Sequence, residues 1–486
     1  MHSASVPGSM QSVGGRLPRE GEGRGRRTAG ALTKEPRLET AAPRDTTNAF
    51  TFICDDHRPP LQQKMIVRAR VVVTMDGPPI ENGAVRVRGE RIIEVGKFSE
   101  LTSGTDEIID LGDRILLPGL INAHCHLDYT CLHGKIPPPQ SFADWIRAIN
   151  GEKAKLSAED YVASINQGFA KAKQFGTTTI ANLTAFPELI AQVQDPIRTW
   201  WFAELIDVRQ RLQNVTALSS HVSRRNEIVD RALESLQTTD RIGLAPHAPF
   251  TASANLYRCC ADIAEGDNFL LTTHLAESRE EMQMFRDANG PLYELLKEIG
   301  RDMSDCGRTT PLQAFVRTLQ PSRRDSSVRA GPAESLGMPW IIAHLNELTE
   351  SDFDLLAKIP QKLSIVHCPR SHAYFGHSDF QFERLSELGF NICLGTDSLA
   401  SNDDLTLFAE MRMFHNRFRV QPQKVLEMVT INPACALERR DKLGKIRTNF
   451  LADIIALPFI KSASIFEAIL NFVSKVPWIM LHGEIT

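Results

Sequence analysis

Eight short apolar runs recur through the middle of the chain: Ile115 to Ile121, Thr177 to Asn182, Thr199 to Leu205, Ile242 to Ala245, Leu270 to Thr273, Trp340 to Ala343, Lys362 to Val366 and Asn391 to Leu394. Helical stretches separate them, and this alternation marks βα units feeding a parallel sheet. Eight units predict an α/β fold, a (β/α)8 TIM-type barrel. In such a barrel the groups that carry chemistry stand at the C-terminal ends of the strands, so the residues after each run are the ones to read.

The first run continues through Pro118-Gly119-Leu120-Ile121-Asn122-Ala123 into His124-Cys125-His126. Side chains alternate along an extended segment, so His124 and His126 project from one face, as two imidazoles sharing an ion must. Taken alone, such a pair is equally a surface feature. The other strand ends shift the balance. His247 follows the fourth run, His274-Leu275-Ala276-Glu277 the fifth, His344-Leu345-Asn346-Glu347 the sixth, His367 the seventh, and Gly395-Thr396-Asp397-Ser398 the eighth. Metal-competent groups at six strand ends predict one shared site; the alternative is that each is satisfied separately in a core.

A chain of 486 residues exceeds what one core usually serves, so a smaller unit beside the barrel is expected. Ile66 to Thr74, Ala84 to Arg88 and Arg91 to Val95 read as strands separated by turn signals, and Ala452 to Leu457 and Trp478 to Leu481 have the same texture. The economical arrangement pairs both ends in a small β-sandwich, residues 65–115 and 437–486, beside a metal-dependent barrel over 116–436. Residues 1–64 are rich in Gly, Ser, Pro, Arg and Thr without helix or strand period. They are read as a disordered or spurious extension with Met65 as the translation start; a basic regulatory arm is the alternative. No apolar run reaches the roughly 20 residues that span a membrane, and no apolar segment of a secretory signal follows the early arginines. The net charge of −4 argues against nucleic acid as a partner. Nine cysteines without a C-x-x-C pair fit reduced thiols in a cytoplasm.

The set formed by Pro118-Gly119-Leu120-Ile121-Asn122-Ala123-His124-Cys125-His126, His274-Leu275-Ala276-Glu277 and Leu394-Gly395-Thr396-Asp397-Ser398-Leu399-Ala400-Ser401-Asn402 resembles the amidohydrolase superfamily. The branch it resembles holds the adenosine-, S-adenosylhomocysteine-, aminodeoxyfutalosine- and guanine-type deaminases and the s-triazine hydrolases. The resemblance runs from about Met65 to the C-terminus and implies a barrel carrying a β-sandwich from both chain ends, in agreement with the pattern above. It implies that His124, His126, His274 and Asp397 hold one divalent ion, Zn2+ first and Fe2+ second, with room left for a water that the ion acidifies. Two-metal branches use a carboxylated lysine at the fourth strand; here the third and fourth runs offer Glu204 and His247 but no lysine. By the same resemblance Glu277 shuttles a proton to a ring nitrogen, Asp397 accepts the water's proton, His344 orients the attacking oxygen and His247 contacts substrate. A solvated acid at a helix N-terminus is the other reading of Glu277.

Other candidates carry less. Trp145 and Arg147 fall where this family lines its substrate pocket, or on an ordinary amphipathic helix. Asn402 reads as part of a helix-capping turn and Cys125 as packing. The segment from Val366 to His377 departs from the branch's pattern by carrying Arg370, His372 and His377. A guanidinium suits a substrate carboxylate, as in aminodeoxyfutalosine, although a surface ion pair is the alternative for Arg370. The polar stretch 304–337 reads as a surface loop between the fifth and sixth strands, with a lid role open. The function expected is hydrolytic deamination of an amino-substituted N-heterocycle, a purine nucleoside-like compound, by hydroxide generated at the ion with release of ammonia. An s-triazine-type hydrolase, a cyclic amidohydrolase, and an inactive metal- or ligand-binding homologue are the rivals; a homodimer follows from the resemblance alone.

Overall fold

The computed structural model describes residues 64–101, 106–194, 196–208, 227–236, 239, 241–320, 339–359, 363–462 and 464–486. The expectations for residues 1–63, and for 321–337 of the polar stretch, lie outside these. Before the barrel come β1 (Lys64–Val72), β2 (Ile80–Arg88), β3 (Arg91–Lys97), β4 (Glu107–Asp110) and β5 (Arg114–Pro118). The barrel strands are β6 (Leu120–Cys125), β7 (Thr177–Thr184), β8 (Arg198–Leu205), β9 (Ile242–Pro246), β10 (Leu270–Leu275), β11 (Trp340–His344), β12 (Leu363–His367) and β13 (Asn391–Leu394). The chain ends with β14 (Ile454–Pro458), β15 (Trp478–Leu481) and β16 (Glu484–Ile485).

Strands β6 to β13 lie side by side in chain order, every pair parallel. Period-two alternation sorts their side chains. In β8, Trp200 and Phe202 turn into the barrel interior, where Ile121, Ala123, Ala181, Leu183, Ala245 and Ile341 join them. Trp201, Ala203 and Leu205 turn outward onto helices carrying Ile165, Phe169 and Leu256. No ladder closes the gap between β13 and β6. It is bridged where function sits: the Thr396 and Asp397 amides both donate to the His124 carbonyl at 3.1 Å, and Asn122 Nδ2 donates to Thr396 Oγ1 at 2.8 Å. Gly395 permits this approach, since a Cβ there would lie 2.7 Å from the His124 carbonyl oxygen.

The first apolar run is divided, not one barrel strand as expected. Pro118 ends β5, and Gly119 passes so close to β7 that a Cβ would sit 2.1 Å from Thr178 Oγ1. The residues before the break pair with β1 and β14, and those after it with β7. Both chain ends thus build the second sheet, ordered β16-β15-β14-β5-β1-β2-β3, with β4 also on β1. Strand β4 was not anticipated: Glu107–Asp110 is largely exposed and shows no apolar alternation. On β5 and β14, Leu116, Ile454 and Ala456 face the sheet's own core. Ile115, Leu117, Ile455 and Leu457 face the barrel's helix layer. The two units are also bolted by a buried ion pair, Arg198 Nε to Asp453 Oδ2 at 2.7 Å, with the His482 amide donating to Asp453 Oδ1. Within the stretch read as a loop, Thr310 caps a helix, Pro311–Leu319, that packs Leu312, Phe315 and Val316 inward. Among the described residues, no helix is long and apolar enough to cross a membrane.

Candidate active site

At the ends of β6, β10, β11 and β13, four histidines and an aspartate converge. His124 is fully buried, its ring 5.1 Å from that of His126, 4.9 Å from His274 and 5.6 Å from His344. Neither His124 nitrogen has a hydrogen-bond partner. The Nε2 atoms of His126 and His274 face each other at 3.1 Å. Two nitrogens each about 2.0–2.1 Å from one tetrahedral ion stand roughly 3.3 Å apart. Ligand atoms of His124, His126 and Asp397 lie within 4.8 Å of one another, as do those of His124, His274 and His344. Burial first, and neighbouring imidazoles second, hold His124 and His126 well below the ordinary histidine range, so their lone pairs are free at neutral pH.

Second partners aim these ligands. His274 Nδ1 donates to the His247 carbonyl at 2.9 Å, which directs its Nε2 inward. Asp397 Oδ2 accepts from Ser371 Oγ at 2.6 Å and Ser401 Oγ at 3.2 Å, while Oδ1 accepts from the Ser398 amide. Asp397 and His344 both have left-handed backbones, φ 56° and 75°, a conformation costly for residues with a Cβ and concentrated at functional turns. The donor set fits a divalent ion: unpartnered buried imidazole, three nitrogens and a carboxylate. A second set, Glu204, His247 and His274, also lies within 4.8 Å. His274 cannot serve both, because an imidazole that donates from Nδ1 keeps a single free lone pair.

Glu277 stands beside this group, buried at 7% exposure. Its Oε1 lies 3.7 Å from His344 Nε2 and 3.8 Å from His377 Nε2, and burial pushes its carboxyl up to about 8. Its backbone is clamped: its amide donates to Glu281 Oε2 at 2.7 Å and its carbonyl accepts from Asn346 Nδ2 at 3.0 Å. Glu277 is therefore not a solvated helix-end acid.

The carboxyl, His126, His247, His274, His344 and Asp397 all open into one cavity of about 620 Å³. The helix Phe142–Lys153 supplies a wall. Phe142, Trp145, Ile146, Ile149 and Lys153 recur at helical spacing and all face the cavity. Trp145 thus lies in the cavity wall as well as on an amphipathic helix. Arg147 does not line the cavity, because two residues of helix turn it some 200° away; it pairs with Asp144 and Glu298 near the surface. Arg370 is likewise absent from the lining, and its guanidinium is engaged by Asp403 and Asp404. The reading of Arg370 as a carboxylate clamp is corrected by these two acids, which lie 33 and 34 residues downstream. Asn402 does not cap a helix: it donates to the Thr396 carbonyl and to Glu410 Oε1, each at 2.8 Å, and so braces the Asp397 loop. Cys125 packs in the layer between strands and helices.

Two contributors were not assigned from the sequence. Glu281 supports the Glu277 backbone, and only its position after Ser278 at a helix start could have signalled it. His377 was visible as a departure from pattern, but its approach to Glu277 depends on the turn that ends the helix Pro369–Phe375.

An amidohydrolase family model matches residues 115–483. A 5-methylthioadenosine/S-adenosylhomocysteine deaminase of Pyrococcus furiosus is 25% identical over 402 residues, covering 80% of this chain and 85% of that protein. Among solved structures, Helicobacter pylori aminofutalosine deaminase in complex with methylthio-coformycin aligns with a TM-score of 0.71 at 20% identity, covering 87% of this chain and all (100%) of that one. An adenosine deaminase from Xanthomonas campestris with bound zinc aligns with a TM-score of 0.68 at 22% identity, covering 88% and 93%.

Proposed function

Because the chain belongs to the amidohydrolase family, hydrolases that act on carbon–nitrogen bonds other than peptide bonds, we propose that it deaminates an adenosine-like nucleoside by hydrolysis. The observation that carries this reading is a buried carboxyl, Glu277, held beside a three-histidine, one-aspartate donor set in an aromatic-walled cavity. The deaminase names of the relatives support the same reaction class. A divalent ion, zinc in the first instance, held by His124, His126, His274 and Asp397 would make water available as a nucleophile at neutral pH.

The chain's own groups do the rest. Glu277, whose carboxyl burial raises, would donate a proton to the ring nitrogen beside the attacked carbon, so the electron pair displaced by addition has an acceptor. Asp397, with Oδ2 held by two serine hydroxyls, is oriented to take a proton from the attacking water. That proton leaves with the amino group as ammonia, the remaining proton of the added water returns to Glu277, and the ring keeps a carbonyl. His344, whose Nε2 lies 3.7 Å from Glu277 Oε1, would orient the attacking oxygen. Phe142, Trp145 and Phe375 offer ring faces for the heterocycle.

The test is ammonia release by zinc-loaded protein from aminodeoxyfutalosine, S-adenosylhomocysteine, adenosine, guanine and an aminotriazine. Release from a purine nucleoside is expected. Silence across the panel with zinc bound would overturn deamination and transfer the reading to another leaving group or a cyclic amide.

A further inference from the structure

Glu277 has a neighbour that the reaction just described does not use. His377 does not line the cavity, whereas Glu277 and His344 do, so it approaches the carboxyl from the protein side. Its side chain is 6% exposed, and its Nε2, buried without a hydrogen-bond partner, stands 3.8 Å from Glu277 Oε1. Burial brings its pKa down to about 4, so the ring is neutral. A polar nitrogen buried and unpaired is costly, and the Glu277 carboxyl is the group set before it. The ring is held by stacking on Phe375, with centroids 5.1 Å apart, and by Phe142 at 6.2 Å. Its backbone is fixed on both flanks. Gly376, at φ 64°, ends the helix Pro369–Phe375, and the His377 amide donates to the His372 carbonyl at 3.3 Å. On the other side the Ser378 amide and hydroxyl both donate to Glu347. His372 closes a circuit back to Glu277. Asn346 Nδ2 donates to the Glu277 carbonyl, so its Oδ1 is the acceptor that meets His372 Nδ1 at 3.1 Å.

We propose that His377 is a positioning residue for the proton shuttle: its Nε2–H donates to Glu277 Oε1 and leaves Oε2 to carry the transferable proton toward the ring nitrogen. The proposal rests on reading Glu277 as that shuttle. A carboxyl without a fixed partner turns freely about its terminal bond and presents either oxygen. A donor anchored on Oε1 removes that freedom, while His377 itself neither gains nor loses a proton over the cycle. His344 reaches the same oxygen at 3.7 Å, but it lines the cavity and has the attacking oxygen to serve. A separation of 3.8 Å exceeds a hydrogen bond, and catalytic contacts that are long in an empty site tighten when the site fills.

The experiment uses the zinc-loaded full chain and two substitutions that separate bonding from packing. His377→Phe keeps a ring against Phe375 and Phe142 but has no donor; His377→Gln gives up the ring but carries an N–H near the position of Nε2. With the nucleoside of the panel that releases most ammonia, kcat should fall about 100-fold in His377→Phe, with KM within about threefold of wild type and zinc content unchanged. His377→Gln should recover about 10-fold of that loss. A packing role predicts the reverse order, so a His377→Phe enzyme as active as His377→Gln or more so overturns the proposal. In a Glu277→Gln background, His377→Phe should change residual turnover by less than about twofold, because the two residues act as a unit. A full loss there would show that His377 does not act through Glu277. One readout needs no turnover: the infrared carboxyl stretch of Glu277, identified as the band lost in Glu277→Gln, should shift in His377→Phe and stay near its wild-type position in His377→Gln. A shifted band with no ammonia from any nucleoside keeps the contact and sinks the deaminase reading. An unmoved band overturns the contact whether or not the enzyme turns over. Should His377→Phe fail to fold, His377→Leu, close to Gln in size and without a donor, carries the same comparison.

Discussion

Glu277 shows how one side chain's role depends on what surrounds it. In sequence it is an acid three residues after a histidine. In the structure, burial raises its carboxyl to about 8, and two imidazoles approach the same oxygen. Glu277→Gln keeps the shape and the metal donors but removes the transferable proton. Turnover is expected to fall by roughly 10²–10⁴ while zinc content measured by elemental analysis stays at the wild-type level. Retained turnover would end the proton-shuttle assignment. Arg370 makes the opposite point. A guanidinium is a sound candidate for a carboxylate, but Asp403 and Asp404 reach it first. The same residue type then serves structure instead of recognition.

At the scale of elements, the site exists because β6 and β13 meet at their ends without a ladder between them. The His124 carbonyl accepts both the Thr396 and Asp397 amides, which sets His124 and Asp397, two members of the proposed donor set, in fixed register. Gly395 is the residue that permits this contact. Gly395→Ala should push the two strand ends apart, weaken zinc affinity by about 10–100-fold and lower the melting temperature. Competition with a chelator checks the first effect and thermal unfolding the second; wild-type values for both would refute the closure argument. A second join lies across the cavity. Glu280, on the helix that follows Glu277, accepts from the Phe142 and Ala143 amides at 2.8 and 3.0 Å. The cavity wall is thereby tied to the turn that carries Glu277.

Over the whole molecule, the end sheet and the barrel share one apolar layer and one buried ion pair. Asp453→Ala would leave Arg198 only the exposed Glu90 carboxylate at 3.6 Å, at a cost of up to about 3–5 kcal/mol. We expect a lower unfolding midpoint in urea, with the catalytic constants of the surviving folded protein unchanged; a wild-type midpoint would show that the pair does not couple the units. Stability should also depend on pH through carboxyls far from solvent. Burial raises Glu281 and Glu410 to about 8, above the ordinary value of 4.5. Between these values the folded chain binds more protons than the unfolded one. By linkage, that contribution is complete below about pH 4.5 and is lost as the pH rises through about 8. Urea unfolding across this window should show stability falling with pH, and Glu410→Gln should flatten the fall. An unchanged slope in the variant would exclude Glu410 as a source.

What the sequence determined by itself was the architecture and the metal-ligand candidates, for a local physical reason. Strand and helix periodicity and the groups at strand ends are all carried by residues within a few positions of one another. Parallel order then sends every strand end to the same face, so the linear pattern alone gathers His124, His126, His274, His344 and Asp397. Only the tertiary structure decided which polar groups were already satisfied. Arg370 is taken by acids more than thirty positions away, Asn402 by Glu410 and by a carbonyl, and Arg147 is turned from the cavity by its helix. Such accounting depends on contacts between distant segments, and a linear pattern holds no record of them.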